Sequence, residues 1–358
     1  MKKRVLSLLV ALLIVAPMVL TGCQSSSTQK VLRVCNWGDY IETDENGESP
    51  VLQEFEEETG IKVIYSTFTS NEELYAKLTG ASNQYDVIVP SDYMVERMAN
   101  KGMLEEIDKS KLTNYSNIDA EFQKMDFDSN GKYSVPYMWG TVGIIYNKDM
   151  VTDPVDSWSI LWNEKYKKQI LMYDSSRDSL SVALLYKGFK PNSTDENELK
   201  QAEEALIAQK PLVLSYTLDD TRDKILAGEA AMAVVYSGDA TLIMQQAADK
   251  GMNFGYSLPK EGSNIFMDNL CVVKGTEHKD EAMAFLDYMC RPDVVARNSE
   301  YIGYAPPEKA AYEQLSDDLK AIPSFYPTDE ERTRLTAFRD LGDFNAKYED
   351  AWLRVKAE

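Results

Sequence analysis

Five short stretches set aromatic rings beside carboxylates or small turn residues: Asn36-Trp37-Gly38-Asp39-Tyr40, Pro90-Ser91-Asp92-Tyr93, Tyr236-Ser237-Gly238-Asp239, Phe266-Met267-Asp268 and Ile302-Gly303-Tyr304-Ala305-Pro306. Aromatic faces attract an ammonium group through their quadrupole, by about 0.5–2 kcal/mol each, and cover the methylenes between charges. Carboxylates fix where those charges lie, and in a partly desolvated cleft such pairs gain more than at a surface when both partners are hydrogen-bonded. Together the five stretches describe a slot for an elongated organic cation. Taken singly they have plainer explanations: Trp37 and Tyr40 as packing residues, Asp39 and Asp239 as turn or N-cap residues, and Tyr93 as an uninformative ring. Asp268 resists that treatment, because it interrupts the apolar run Ile265-Phe266-Met267-Asp268-Asn269-Leu270-Cys271 and needs a partner if buried.

The elements that position these stretches follow from periodicity. Residues 31–36, 61–68 and 85–89 read as strands, each followed by an amphipathic or capped segment: helix 51–59 with Gly60 as its cap, helix 71–79 after the capping-box signature Ser70-Asn71-Glu72-Glu73, and a helix ending near Gly102. Such βα units predict α/β domains with mainly parallel sheets, whose ligands sit beyond the strand C-termini. Residues 133–140 then lead into a strand over 141–146 with no helix before it, which carries the chain to a second domain. That domain is expected to hold strands 169–173, 212–216 and 231–236 and helices 178–187, 196–207 and 221–227. A strand over 265–273 crosses back. The expected architecture is two lobes on a two-crossing hinge, 31–138 plus 267–312 forming lobe 1 and 139–266 plus 313–358 forming lobe 2.

A chain of 358 residues with 44% hydrophobic and 27% charged residues is long enough for two domains of ordinary size and is neither disordered nor collagen-like. The net charge of −20 works against nucleic acid, since phosphate binding needs Lys and Arg to displace counterions. The single histidine, His278, lies in the polar run Gly275-Thr276-Glu277-His278-Lys279, so neither a His-dependent catalytic triad nor a multi-His metal site is expected. Cys35, Cys271 and Cys290 sit among apolar neighbours as small hydrophobes, and one disulfide among them stays open. No cofactor is expected.

Residues 1–23 have the three parts of an export signal: Lys2-Lys3-Arg4, an apolar run over 5–20, and Leu20-Thr21-Gly22-Cys23. The ending resembles a bacterial lipoprotein signal, which implies that Cys23 is lipidated and becomes the first mature residue. Residues 24–30 would then be a flexible tether. The alternative is an uncleaved membrane anchor.

The series Asn36-Trp37-Gly38-Asp39-Tyr40, Glu58-Thr59-Gly60-Ile61-Lys62-Val63, Tyr85-Asp86-Val87-Ile88-Val89-Pro90-Ser91, Val135-Pro136-Tyr137-Met138-Trp139-Gly140, Phe266-Met267-Asp268 and Ile302-Gly303-Tyr304 resembles the spermidine/putrescine-binding proteins of bacterial ABC transporters. The resemblance implies a two-lobed, type II periplasmic-binding-protein-like fold that closes around a polyamine and delivers it to a membrane permease. It implies a monomer held at the outer face of the cell membrane by lipid on Cys23, without catalysis. By position, it assigns ligand contacts to Trp37, Asp39, Tyr40, Ser91, Tyr93, Asp178, Tyr236, Asp239, Phe266, Asp268 and Tyr304. Ser175 stands where spermidine-type members have an aspartate and Asp178 where they have a glutamate, while Asp39 and Asp239 match acids of the putrescine type. The preference between the two ligands is therefore open.

Two rival classes have distinct requirements. A secreted glycoside hydrolase would also use aromatic slots with paired carboxylates, but four separated acids suit charge recognition better. A same-fold receptor for ferric iron would need clustered Tyr or His donors. One for an amino acid would need an arginine for the carboxylate, and the five loops offer only Arg177 beside Asp178.

Overall fold

The computed structural model describes residues 29–80, 84–128, 131–218 and 220–358. The expected signal segment, Cys23 and all but the last two residues of the tether lie outside them. Ten strands occur among the described residues: β1 Lys30–Trp37, β2 Ile61–Phe68, β3 Val87–Ile88, β4 Ser134–Asn147, β5 Ile170–Tyr173, β6 Val213–Thr217, β7 Met232–Tyr236, β8 Phe254–Ser257, β9 Ser263–Val272 and β10 Leu335–Ala337.

Local chemistry sets the first βα unit. Helix Pro50–Thr59 starts with Ser49 accepting from the Leu52 N–H and with proline in its first turn, buries Val51 and Phe55 one turn apart, and stops at Gly60 (φ 70°), whose N–H returns to the Glu56 carbonyl. Helix Asn71–Gly80 departs slightly from the expected capping box. Ser70 Oγ does accept from the Glu73 N–H, but the Glu73 carboxylate reaches back to the N–H and hydroxyl of Thr69, one residue earlier than the motif requires.

The strand order is β2-β1-β3-β9-β4-β7-β5-β6, with β10 beside β9 and β8 beside β4. β1 pairs in parallel with β2 and β3, and β5 with β6 and β7, as βα units require. β4 is antiparallel to β7, β8 and β9, and β9 is antiparallel to β3 and β4 but parallel to β10; both run through the centre of the sheet, so the sheet is more mixed than the βα pattern alone suggests. β4 is also longer than expected. It begins at Ser134 and pairs with β9 through Thr141, then with β7 from Val142 onward. Pro136 is tolerated inside it because the register shifts between Pro136 and Met138.

The cores follow this division. Leu32, Phe55, Val87, Trp139, Leu270 and Phe285 share one apolar cluster. Ile144, Met172 and Val234 belong to a second, while their chain neighbours Ile145, Leu171 and Val235 belong to a third. Alternation at period two assigns the last two cores to opposite faces of the β4-β7-β5 sheet. On β4 the change from first to second core falls between Trp139 and Val142. Leu315, Leu319 and Phe325, allotted from sequence to lobe 2, bury with the first core, as does Phe338 just beyond β10. Cys35, Cys271 and Cys290 are buried free thiols.

Candidate functional site

A cleft of about 470 Å³ is lined by all eleven residues singled out from the sequence: Trp37, Asp39, Tyr40, Ser91, Tyr93, Asp178, Tyr236, Asp239, Phe266, Asp268 and Tyr304. They arrive from loops and strands far apart in sequence. Trp37 ends β1 and Asp39 and Tyr40 follow it, Ser91 and Tyr93 follow β3, and Tyr236 ends β7 with Asp239 in the helix after it. Phe266 and Asp268 lie on β9, opposite Gly140 and Met138 of β4.

Asp268 is only 4% exposed. Its two oxygens accept from the Ser91 hydroxyl and the Tyr40 hydroxyl, each at 2.6 Å, and Ser91 is in turn held by Asn71. No Lys or Arg among the described residues forms an ion pair with it. Burial therefore pushes its carboxyl up to about 6 despite the two hydroxyl donors. Asp178 is built the same way on the other wall. Buried at the start of helix Ser176–Tyr186, it accepts from Ser175 Oγ at 2.6 Å and from the Tyr236 hydroxyl at 2.8 Å, and burial raises its titration.

Asp239 lies in the first turn of helix Ser237–Asp249 rather than at its N-cap, accepts from the Tyr173 hydroxyl at 3.3 Å, and sits 3.4 Å from Arg222 Nη2. Asp39 is an exposed turn residue with φ 50°, a left-handed conformation that aspartate tolerates better than most.

The rings form a continuous path between the walls. Centroids lie 4.6 Å apart for Tyr173–Tyr236, 5.2 Å for Tyr236–Phe266, 5.7 Å for Phe266–Tyr304 and 5.4 Å for Tyr304–Tyr40. Most of these pairs are edge-on, the favoured arrangement for aromatic quadrupoles. Trp37 packs on Phe68 at 4.5 Å, and the Tyr93 hydroxyl donates to Glu72 at 3.0 Å. Two glycines let the walls meet. A Cβ on Gly140 would come within 2.9 Å of the Phe266 and Tyr304 rings, and one on Gly238 would come closer still to the Tyr304 ring.

Asp92 belongs to one of the five stretches but was assigned no ligand contact, and Tyr173 and Arg222 were not singled out at all; all three line the cleft. Asp92, 1% exposed, accepts from the Tyr93 N–H at 2.7 Å, and burial lifts it to about 8. Tyr173 and Arg222 stand at the ends of the second-lobe strands, where proximity to strand C-termini was the one available signal. Arg177 turns out to be a packed cation: its guanidinium lies over Phe338 at 4.6 Å and Tyr93 at 5.1 Å and donates to Asn192, Asn345 and the Arg339 carbonyl. Among the described residues no group of three or more His, Cys, Asp or Glu is placed to hold a metal ion, and no helix is long and apolar enough to cross a membrane.

Two α/β lobes sharing hinge strands around a ring-lined, acid-bearing cleft are the architecture of a solute-binding protein. Residues 51–327 match the family of bacterial extracellular solute-binding proteins, and the chain belongs to that family. Among its relatives, the spermidine/putrescine-binding periplasmic protein of Salmonella typhimurium is 37% identical over 335 residues, 93% of either chain. A spermidine/putrescine ABC transporter substrate-binding protein from Streptococcus pneumoniae, solved with calcium and HEPES, is 34% identical with a TM-score of 0.77, over 92% of this chain and 99% of that one. A lipoprotein of Treponema pallidum is 27% identical with a TM-score of 0.81, over 92% of this chain and all of that one.

Proposed function

We propose that the chain is an extracytoplasmic receptor that captures a linear polyamine, putrescine or spermidine, and hands it to an ABC importer. The observation that carries this is Asp268: a nearly fully buried carboxylate whose side-chain partners are two neutral hydroxyls, in a cleft walled by rings. An ionised carboxylate in that position costs free energy until a cation reaches it. An ammonium group restores the missing charge, Asp178 on the facing wall offers a second acceptor of the same construction, and the rings cover the methylenes between. The names of the relatives agree with this chemistry. The eleven cleft residues act as ligand contacts, with no catalytic step. Lipidation of Cys23 tethers the receptor as a monomer at the outer face of the membrane, a proposal supported by the lipobox-like ending of the export signal and by the lipoprotein relative.

Titration calorimetry of the mature chain with putrescine and spermidine, and with maltose as a neutral control, tests this. Micromolar affinity, about −8 kcal/mol, is expected for at least one amine and no heat for the sugar. Absence of binding by every linear polyamine at millimolar concentration would remove the assignment.

A further inference from the structure

Arg222 is a cleft residue with no part in the binding scheme above. It follows β6 in the short helix Thr221–Leu226, where Thr221 Oγ1 lies 2.6 Å from Thr217 Oγ1 and donates to the Leu218 carbonyl at 2.9 Å, which fixes the turn. Its Nη2 donates to Asp239 Oδ1 at 3.4 Å, and the two side chains are 28% and 32% exposed. Its Nε is buried with no hydrogen-bond partner among the described residues, so the fold does not consume all its donors. Arg177, the other cleft arginine, also has a buried Nε without a hydrogen-bond partner, but its terminal nitrogens are held by three acceptors and its guanidinium lies over three rings, whereas Arg222 is aimed at a carboxylate of the cleft itself.

A fixed cation in a binding cleft acts on a polyamine in proportion to the ligand's charge. It offsets one acidic group for every ligand and repels each ammonium present, so a triamine loses more than a diamine and a tetraamine more again. The charge of Arg222 reaches the ring wall: Tyr304, whose ring packs against Gly238 one residue before Asp239, stands under the charges of both Asp239 and Arg222. Resting on the polyamine function proposed above, we infer that Arg222 is a specificity-determining residue that biases this cleft toward ligands with two ammonium groups over those with three or four.

The test is calorimetry at one fixed, low ionic strength with putrescine, spermidine and spermine on the wild type, Arg222→Gln, Arg222→Met and Arg222→Lys. Removing one unit charge several ångströms from the ligand in a partly hydrated cleft should raise the spermidine-to-putrescine affinity ratio by about fivefold to tenfold, and the spermine ratio further. The lysine variant should keep the wild-type ratios, which a role in shape alone would not predict. Neutral variants with ratios within about twofold of wild type, or with all three amines weakened equally, overturn the inference. So does failure of both neutral variants to fold, judged by circular dichroism, since Arg222 would then serve the fold. If the wild type binds none of the amines, the proposed function falls first. If it binds them and the ratios do not move, only the role of Arg222 falls.

Discussion

The Tyr40 hydroxyl donates to Oδ2 of Asp268 across 2.6 Å, joining residues 228 positions apart at the point where β9 passes the end of β1. That bond and its Ser91 counterpart orient the carboxylate without neutralising it, and this combination sets the first prediction. In the ligand-free protein the Asp268 carboxyl titrates near 6, above its ordinary 3.8. The folded state then binds more protons than the unfolded state between those values, so stability from this group falls as pH rises from about 4 to about 6, and the cost is fully present at neutral pH. The shift corresponds to about 3 kcal/mol. Asp268→Asn should therefore raise the thermal midpoint of the free protein at pH 7.5, measured by calorimetry, while lowering polyamine affinity more than tenfold. Loss of both stability and affinity would mean that the carboxylate serves the fold instead.

The same titration gives binding a pH profile. An ammonium ligand selects the ionised form, so affinity should be flat above about pH 7 and fall below 6, reaching about tenfold weaker near pH 5. Asp178, also raised by burial, steepens the fall on the acid side. Calorimetry in buffers of different ionisation enthalpy should show proton release on binding near pH 5.5 and none near pH 8. Proton uptake at the lower pH would contradict the scheme.

Tyr236 connects both kinds of wall, since its ring packs on Tyr173 and Phe266 and its hydroxyl supplies one of two donors to Asp178. Tyr236→Phe keeps the ring and removes the donor, leaving a buried carboxylate with Ser175 alone. A cost of about 1–3 kcal/mol follows from the lost bond, partly as weaker ligand affinity, because Asp178 becomes harder to ionise. Combined with Asp178→Asn, the affinity losses should be less than additive. Additive losses would separate the hydroxyl from the acid.

Much of this was legible in the sequence because it is local. β1, β2 and the helix between them follow from short β-rich runs, apolar residues at helical spacing and a capping glycine, all within a few residues. Three of the five aromatic and acidic stretches, at the ends of β1, β3 and β7, were visible because strand C-termini gather in α/β sheets wherever they lie in the chain, whereas Phe266-Met267-Asp268 lies inside β9 and Tyr304 follows the helix Pro292–Ile302. Other features depend on contacts between distant segments. Nothing near Arg222 in sequence announces that Asp239 lies beside it, and nothing near Leu315 or Phe325 says which core they join. The full length of β4 was hidden by Pro136, which marks a break unless the bulge beside it is known. The Glu73 carboxylate chose Thr69 over Ser70, a difference of one residue that propensities do not resolve.

Gly238 is a point of close approach between the two walls. It follows β7, and the Tyr304 ring, supported from the other wall by Tyr40 and Phe266, fills the space its missing side chain leaves. A Cβ there would stand well under 3.0 Å from the ring carbons, a distance that real contacts do not reach, so in Gly238→Ala either the ring or the helix start must shift. The backbone itself gives no resistance, because Gly238 needs no positive φ. The expected result is a folded protein with a nearly unchanged far-ultraviolet spectrum, an affinity reduced by more than tenfold, and a closed, ligand-bound form that small-angle scattering shows to be wider than wild type. Tyr304→Ala in the same background should recover part of the closure, since it removes the ring the new methyl meets. A Gly238→Ala variant that binds as tightly as wild type would show that the ring-to-glycine contact is not needed for capture.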